Sequence, residues 1–192
     1  LTMLGIIIGV LAIVVLVVLI GINLRPFLTA IGPLAGQIDA QLGLGMDRLA
    51  WVTLLPLLLI GVGVLLTPAL LDKAGPRPLL GAALLLLMLG SALRLDLSSG
   101  TLLIASAALC GLGSALVQGT LPGLIKGTFA GKVPLVMGIF SACMMGGGAL
   151  GAVLTPRVAL HLDWSRALAL WSLPVLLALL AGTVSFSALA AE

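Results

Sequence analysis

Asn23-Leu24-Arg25-Pro26-Phe27-Leu28-Thr29 sets an arginine inside an otherwise apolar run. Beyond it, Ala30 to Ile38 carries no charge and one amide, Gln37; before it, Leu1 to Ile22 carries no charge and one hydroxyl, Thr2. A charge at bilayer depth costs at least ~2.5–3.5 kcal/mol, so a chain keeps one there when it faces protein, water or a substrate. Pro26 adds a break, because it has no N–H and its ring disturbs the carbonyl of Ile22. An interrupted helix beside a cation suits a small anion. Two placements compete. Leu1 to Ile22 is long enough to span, since ~20 apolar residues suffice. The helix could then end near Asn23 with Arg25 snorkelling to the headgroups. That placement strands Phe27 to Ile38, which is twelve residues and too short to cross. A helix continuing to about Ala40 removes the difficulty and predicts a buried arginine. Arg25 is then fourteen residues from Asp39, or ~21 Å along a helix, near the middle of a ~30 Å core if the helix tilts.

Composition points the same way. The chain has 192 residues, 61% hydrophobic and 8% charged, with a mean hydropathy of +1.36, whereas soluble domains carry about 25% charged residues. The composition defines an integral membrane protein. Leu, Ala and Gly dominate without period-2 alternation, so helices are expected rather than a barrel. The net charge of +3 does not point to nucleic acid, because the basic residues are scattered among apolar segments. Cys110 and Cys143 lie mid-segment and read as buried, inert thiols rather than a disulfide or metal pair. No cofactor or metal is expected. The first stretch does not read as a signal peptide, since it shows no basic start and its apolar run is too long.

Charges and turn residues divide the chain into six apolar blocks, predicting one all-α, six-helix transmembrane domain over 1–192, with helices at about 3–40, 48–71, 78–95, 101–126, 133–157 and 165–188. Blocks one, four and five hold the glycines, prolines and polar residues and are expected to face inward. They include Gly146-Gly147-Gly148 and Gly151, a density that lets helices approach closely. Blocks three and six are plain, as in Ala82-Ala83-Leu84-Leu85-Leu86-Leu87-Met88, and are expected to face lipid. Each three-helix half therefore opens on a broken, polar helix and closes on a plain one, as an inverted 3+3 repeat would. If block one begins in the cytoplasm, Lys73, Arg77, Lys126 and Lys132 fall inside and Arg48, Arg94, Arg157 and Arg166 outside. Four against four does not orient the chain.

The turn after block two supplies an orientation. Leu71-Asp72-Lys73-Ala74-Gly75-Pro76-Arg77 resembles the loop 2–3 signature of major facilitator superfamily transporters, with Asp72, Lys73, Gly75 and Arg77 matching and Pro68 and Pro76 departing. In that family the loop is cytoplasmic. More of the chain is similar to the cyanate/nitroimidazole (CynX/NimT-type) branch. The stretches are Gly21 to Pro26 with Leu28-Thr29 and Gly32-Pro33-Leu34; Gln118 with Leu121 to Lys126; and Pro134 to Gly138 continuing through Ser141 and Met145 to Gly151, then Thr155-Pro156. The arginine often found in helix 4 of other facilitators is absent, with Ala107 about where it would fall, which argues against a proton-coupling role copied from those relatives. The resemblance implies a twelve-helix transporter with a central cavity, of which this is the N-terminal half. The chain is then a fragment, a truncated product or half of a homodimer, in a bacterial inner membrane with loops 72–77 and 127–132 cytoplasmic.

Transport by rocking needs a site near the midplane. Arg25 is expected to bind a small anion such as cyanate, because its planar fork of donors suits small planar anions. Asn23 and Gln118 are candidate partners at that depth, although Gln118 could equally make an interhelical hydrogen bond and Asn23 could face another helix. Asp72, Lys73, Gly75 and Arg77 read as a conformational latch, or else as a solvated loop that sets topology. The expected partners are lipid, the substrate, and a second six-helix half or a second copy; nucleic acid is not among them. A neutral nitroimidazole-like solute is the other substrate class the branch implies, and a non-transporting scaffold the main alternative to transport. An intramembrane serine protease is the enzyme class to consider, but Gly113-Ser114-Ala115 departs from a Gly-x-Ser-Gly nucleophile motif and His161 lies in a charged link, so an enzyme is not expected.

Overall fold

The computed structural model describes the backbone of residues 3–129 and 131–190, and the side chains of 10–95, 97–129 and 131–183. Thr2, Glu192 and the side chain of Asp96 lie outside the described residues. Every regular element among the described residues is helical. Six segments are long and apolar enough to cross a membrane: Val10–Thr29, Gly45–Ala74, Pro76–Leu95, Gly100–Thr128, Val133–Ala159 and Trp164–Thr183. This is an all-α membrane fold, consistent with half of a major facilitator bundle.

Block one, read as one helix to residue 40, is three pieces: α1 (Met3–Asn23), α2 (Pro26–Thr29) and α3 (Ile31–Leu42). The break falls where Pro26 denies Ile22 a hydrogen-bond donor. Arg25 leaves the helical region, with φ −120° and ψ −21°, and Pro26 restarts the helix at its first position, where the missing N–H costs nothing. Gly43, at φ 59°, ends α3 in the left-handed conformation that glycine adopts without strain. Gly75, at φ 80°, separates α4 (Gly45–Ala74) from α5 (Pro76–Ala92). The third span finishes in a 3-10 turn, Leu93–Asp96. Then follow α6 (Gly100–Thr128) and α7 (Val133–Ala159), and a sixth span broken into α8 (Trp164–Ala169) and α9 (Ser172–Ala190).

Helix α6 is central, with half of its most apolar window buried, against 17% for α4 and 22% for α7. Its glycines let both neighbours in. A Cβ at Gly111 would lie 2.8 Å from Cα of Pro56 on α4, and one at Gly113 would lie 2.7 Å from the Ala83 carbonyl oxygen on α5. The expectation that block three faces lipid holds for one side only. Leu80, Ala83, Leu84, Leu87 and Gly90 of α5 form a stripe at helical spacing that is buried, packed on α6 and α9. The sixth span likewise buries Ala167, Leu168, Val175 and Ala178. A uniform Leu/Ala sequence hides which side is covered, because the small partner residues that decide it sit on another helix.

Two apolar clusters stack along the bundle. One gathers Leu16, Ile20, Leu24 and Phe27 with Leu87, Cys110 and Leu121. The other gathers Ala30, Ile31 and Leu34 with Leu103, Ala107 and Trp164. The boundary on the first span falls at α2, beside Arg25.

Candidate anion site at the broken first helix

Around Arg25 the chain leaves its neighbours buried and the arginine exposed. Leu24, Pro26 and Phe27 are buried, whereas Arg25, within the first candidate span, is exposed on the six-helix bundle. The unwound backbone turns its side chain off the buried stripe. Its guanidinium has no hydrogen-bond or ion-pair partner among the described residues. Its backbone, by contrast, is held. The Arg25 carbonyl accepts from the N–H groups of Leu28 and Thr29, both at 3.0 Å, and from Thr29 Oγ1 at 3.2 Å.

The glycine run of α7 seats this turn. A Cβ at Gly147 would lie 2.7 Å from the carbonyl carbon of Ile22, one at Gly151 2.7 Å from Cα of Pro26, and one at Gly148 3.3 Å from Cβ of Arg25. The α-hydrogen at Gly147 therefore faces the Ile22 carbonyl that Pro26 leaves without a donor. Such Cα–H···O contacts contribute ~0.5–1 kcal/mol each. Thr29 Oγ1 donates to the Gly148 carbonyl at 2.8 Å, joining the turn to α7.

The predicted partners make hydrogen bonds of their own. Asn23 is buried inside the bundle at 4% exposure. Its Nδ2 donates to the Leu19 carbonyl at 2.6 Å, and its Oδ1 has no partner among the described residues. Gln118 is half-buried on α6 and donates to Ser114 Oγ at 3.0 Å. Neither amide is hydrogen-bonded to Arg25. Asp72, Lys73 and Arg77 are exposed around the Gly75 turn, and Arg77 borders a cavity of about 90 Å³ walled by Ile13, Leu16, Leu80 and Ile125. Ser114, the candidate nucleophile of the enzyme reading, is buried and hydrogen-bonded to Gln118, whereas His161 is exposed between α7 and α8.

Sequence reasoning misses Arg94, which the block boundaries place among the outer charges. It is 1% exposed. Its Nε donates to Ser106 Oγ and its Nη1 to the Phe27 carbonyl, both at 3.1 Å, while Nη2 is buried without a partner among the described residues. Leu93 and Leu95 on either side are 40% and 60% exposed. The tight 3-10 turn sends them outward and the arginine inward. The available signal is the set of small polar residues, Ser91, Ser106 and Cys110, spaced to face that turn. A guanidinium thus does reach the level of Ala107, from the end of the third span instead of from the fourth.

A six-span helical bundle opened by a broken helix defines a multi-pass membrane protein, and comparison with known proteins supplies its family. The chain belongs to the Major Facilitator Superfamily, whose family model matches residues 11–190. It is 38% identical over 165 residues to the cyanate transport protein CynX of Escherichia coli (strain K12), covering 85% of this chain and 43% of that protein. It is 30% identical over 168 residues to the uncharacterized transporter YycB of Bacillus subtilis (strain 168), covering 85% of this chain and 41% of that protein. The chain thus spans about two fifths of the length of these relatives, and its six apolar helices fit an N-terminal half.

Proposed function

We propose that this chain supplies one six-helix half of a secondary transporter that moves a small anion such as cyanate by alternating access, with Arg25 as the anion-binding residue. The observation that carries the reading is the Arg25 guanidinium, unpartnered among the described residues and mounted on a turn whose backbone is held at three points. A cation on a helix break at a transporter's half–half interface is where an anionic substrate would be met. The name of the Escherichia coli relative supplies cyanate as the first anion to test. In this reading Asn23 and Gln118 are the further candidate substrate-binding side chains. A second half, or a second copy, covers Arg25 and the exposed sides of α4 and α7. The membrane is a bacterial inner membrane, loops 72–77 and 127–132 are cytoplasmic, and Asp72, Lys73, Gly75 and Arg77 form the latch.

Uptake of labelled cyanate into proteoliposomes tests this, comparing the chain, the chain fused to a C-terminal half from the cyanate relative, and Arg25→Gln in each. Loss of a charge-assisted hydrogen bond predicts a rise in half-saturation of roughly tenfold to a hundredfold for Arg25→Gln. Equal uptake by the unmodified protein and an equally stable Arg25→Gln variant would remove Arg25 from the site.

A further inference from the structure

Arg94 is a cation that the bundle keeps at a cost. Burying a charge is expensive unless it is paired, and no carboxylate among the described residues hydrogen-bonds it. One nitrogen, Nη2, is buried without an acceptor among the described residues. An apolar side chain of similar volume would fill the space without that penalty. What a guanidinium alone supplies is two donors fixed in one plane. Those donors join two places far apart in sequence: Ser106 on α6 and the Phe27 carbonyl in α2, two residues from Arg25.

Both ends of the link are themselves oriented. Ser106 Oγ donates to the Leu103 carbonyl at 2.7 Å, so its lone pairs are turned to Arg94. The Arg94 carbonyl accepts from Ser165 Oγ on α8, and Ser165 Oγ accepts from the Leu97 N–H at 3.4 Å. The arginine is held by its backbone to the sixth span and by its side chain to the fourth, and it reaches the first. Phe27 lies where the two apolar clusters meet, so this is a polar link at the level of the break. We infer that Arg94 is a positioning residue for the anion-binding turn: it fixes α2, and through α2 the direction in which Arg25 points. The inference rests on the proposed role of Arg25 for its functional consequence, but not for its structural one.

The two are separated by measuring amide hydrogen exchange and cyanate uptake on the same reconstituted proteins. The variants are Arg94→Lys, Arg94→Met and Ser106→Ala. The last keeps the cation and removes only its Nε acceptor, so it serves if Arg94→Met does not fold. Lysine keeps the charge but loses the fixed planar pair of donors. The expected result is exchange faster by about tenfold or more at the Leu28, Thr29 and Ala30 amides, with α4 and α9 unchanged. Arg94→Lys is expected to be milder than Arg94→Met, and uptake to show raised half-saturation more than lowered maximal rate. Unchanged exchange at those amides in all folded variants, or equal acceleration in every helix, would overturn the proposal. If the unmodified chain and its fusion take up no cyanate, the exchange pattern still decides the role of Arg94, and the substrate assignment alone falls.

Discussion

Gly146 and Gly147 are adjacent, helical and chemically identical, yet alanine is expected to act on them in opposite directions. A Cβ at Gly146 meets nothing within 4 Å, whereas one at Gly147 would come within 2.8 Å of both the carbonyl carbon and Cα of Ile22. Those are backbone atoms of α1 and cannot rotate aside. Alanine gains ~1 kcal/mol of helix propensity over glycine at either position. At Gly147 it also overpacks the α1–α7 contact, at roughly 1–3 kcal/mol. The propensity gain cancels in the comparison, so Gly147→Ala is expected to be less stable than Gly146→Ala by about 1–3 kcal/mol. Unfolding can be followed in mixed micelles of rising SDS fraction. A thiol-reactive dye would report Cys110, a free cysteine that is buried in the folded bundle, in a Cys143→Ser background. Equal unfolding free energies for the two variants would refute the reasoning and separate α1 from the glycine face of α7.

Thr29→Val keeps the shape of the side chain and removes its 2.8 Å hydrogen bond to the Gly148 carbonyl. It is expected to lose about 0.5–1.5 kcal/mol in the same unfolding assay, and an unchanged value would show that the glycine contacts alone seat the turn. Asn23→Leu removes an Oδ1 that is buried and unpartnered among the described residues. Stability is expected to hold or rise by about 1 kcal/mol, and a clear loss would show that the Nδ2 bond to Leu19 is what keeps the last turn of α1 closed. Gly151→Ala would place a Cβ 2.7 Å from Cα of Pro26 and is expected to destabilise by about 1–3 kcal/mol, with cyanate uptake falling in parallel.

Much of the fold could be read in the sequence because the bilayer imposes it. Runs of about twenty apolar residues must be helices, and the charged links mark their ends. The break at Pro26 was readable too, since a proline in a helix has a local effect that no partner is needed to foresee. The side a residue faces was less legible. Leu80, Ala83, Leu84 and Leu87 look no different in sequence from Leu85 and Leu89, which are 44% and 52% exposed. What covers one set is Gly113 and its neighbours on α6, a relation between helices. Arg94 is misplaced for the same reason. A charge at the end of an apolar block reads as an interface residue, and only the 3-10 turn after Ala92 swings it inward.

The two arginines near the break are best understood together. Both are cations close to one short turn, and the bundle treats them in opposite ways. Arg94 is 1% exposed and directs two of its nitrogens to protein acceptors. Arg25 is exposed and gives none of its donors to a protein group among the described residues. A bundle that only needed to neutralise charge could have hydrogen-bonded Arg25 to the carbonyls the break releases. Instead, the Ile22 carbonyl is faced by Gly147, the Arg25 carbonyl is taken by Leu28 and Thr29, and the Phe27 carbonyl is taken by Arg94. These three acceptors near the break are met by something other than Arg25. In the proposed reading the donors of Arg25 are the ones left for the anion, while Arg94, Thr29 and the glycines of α7 hold the break.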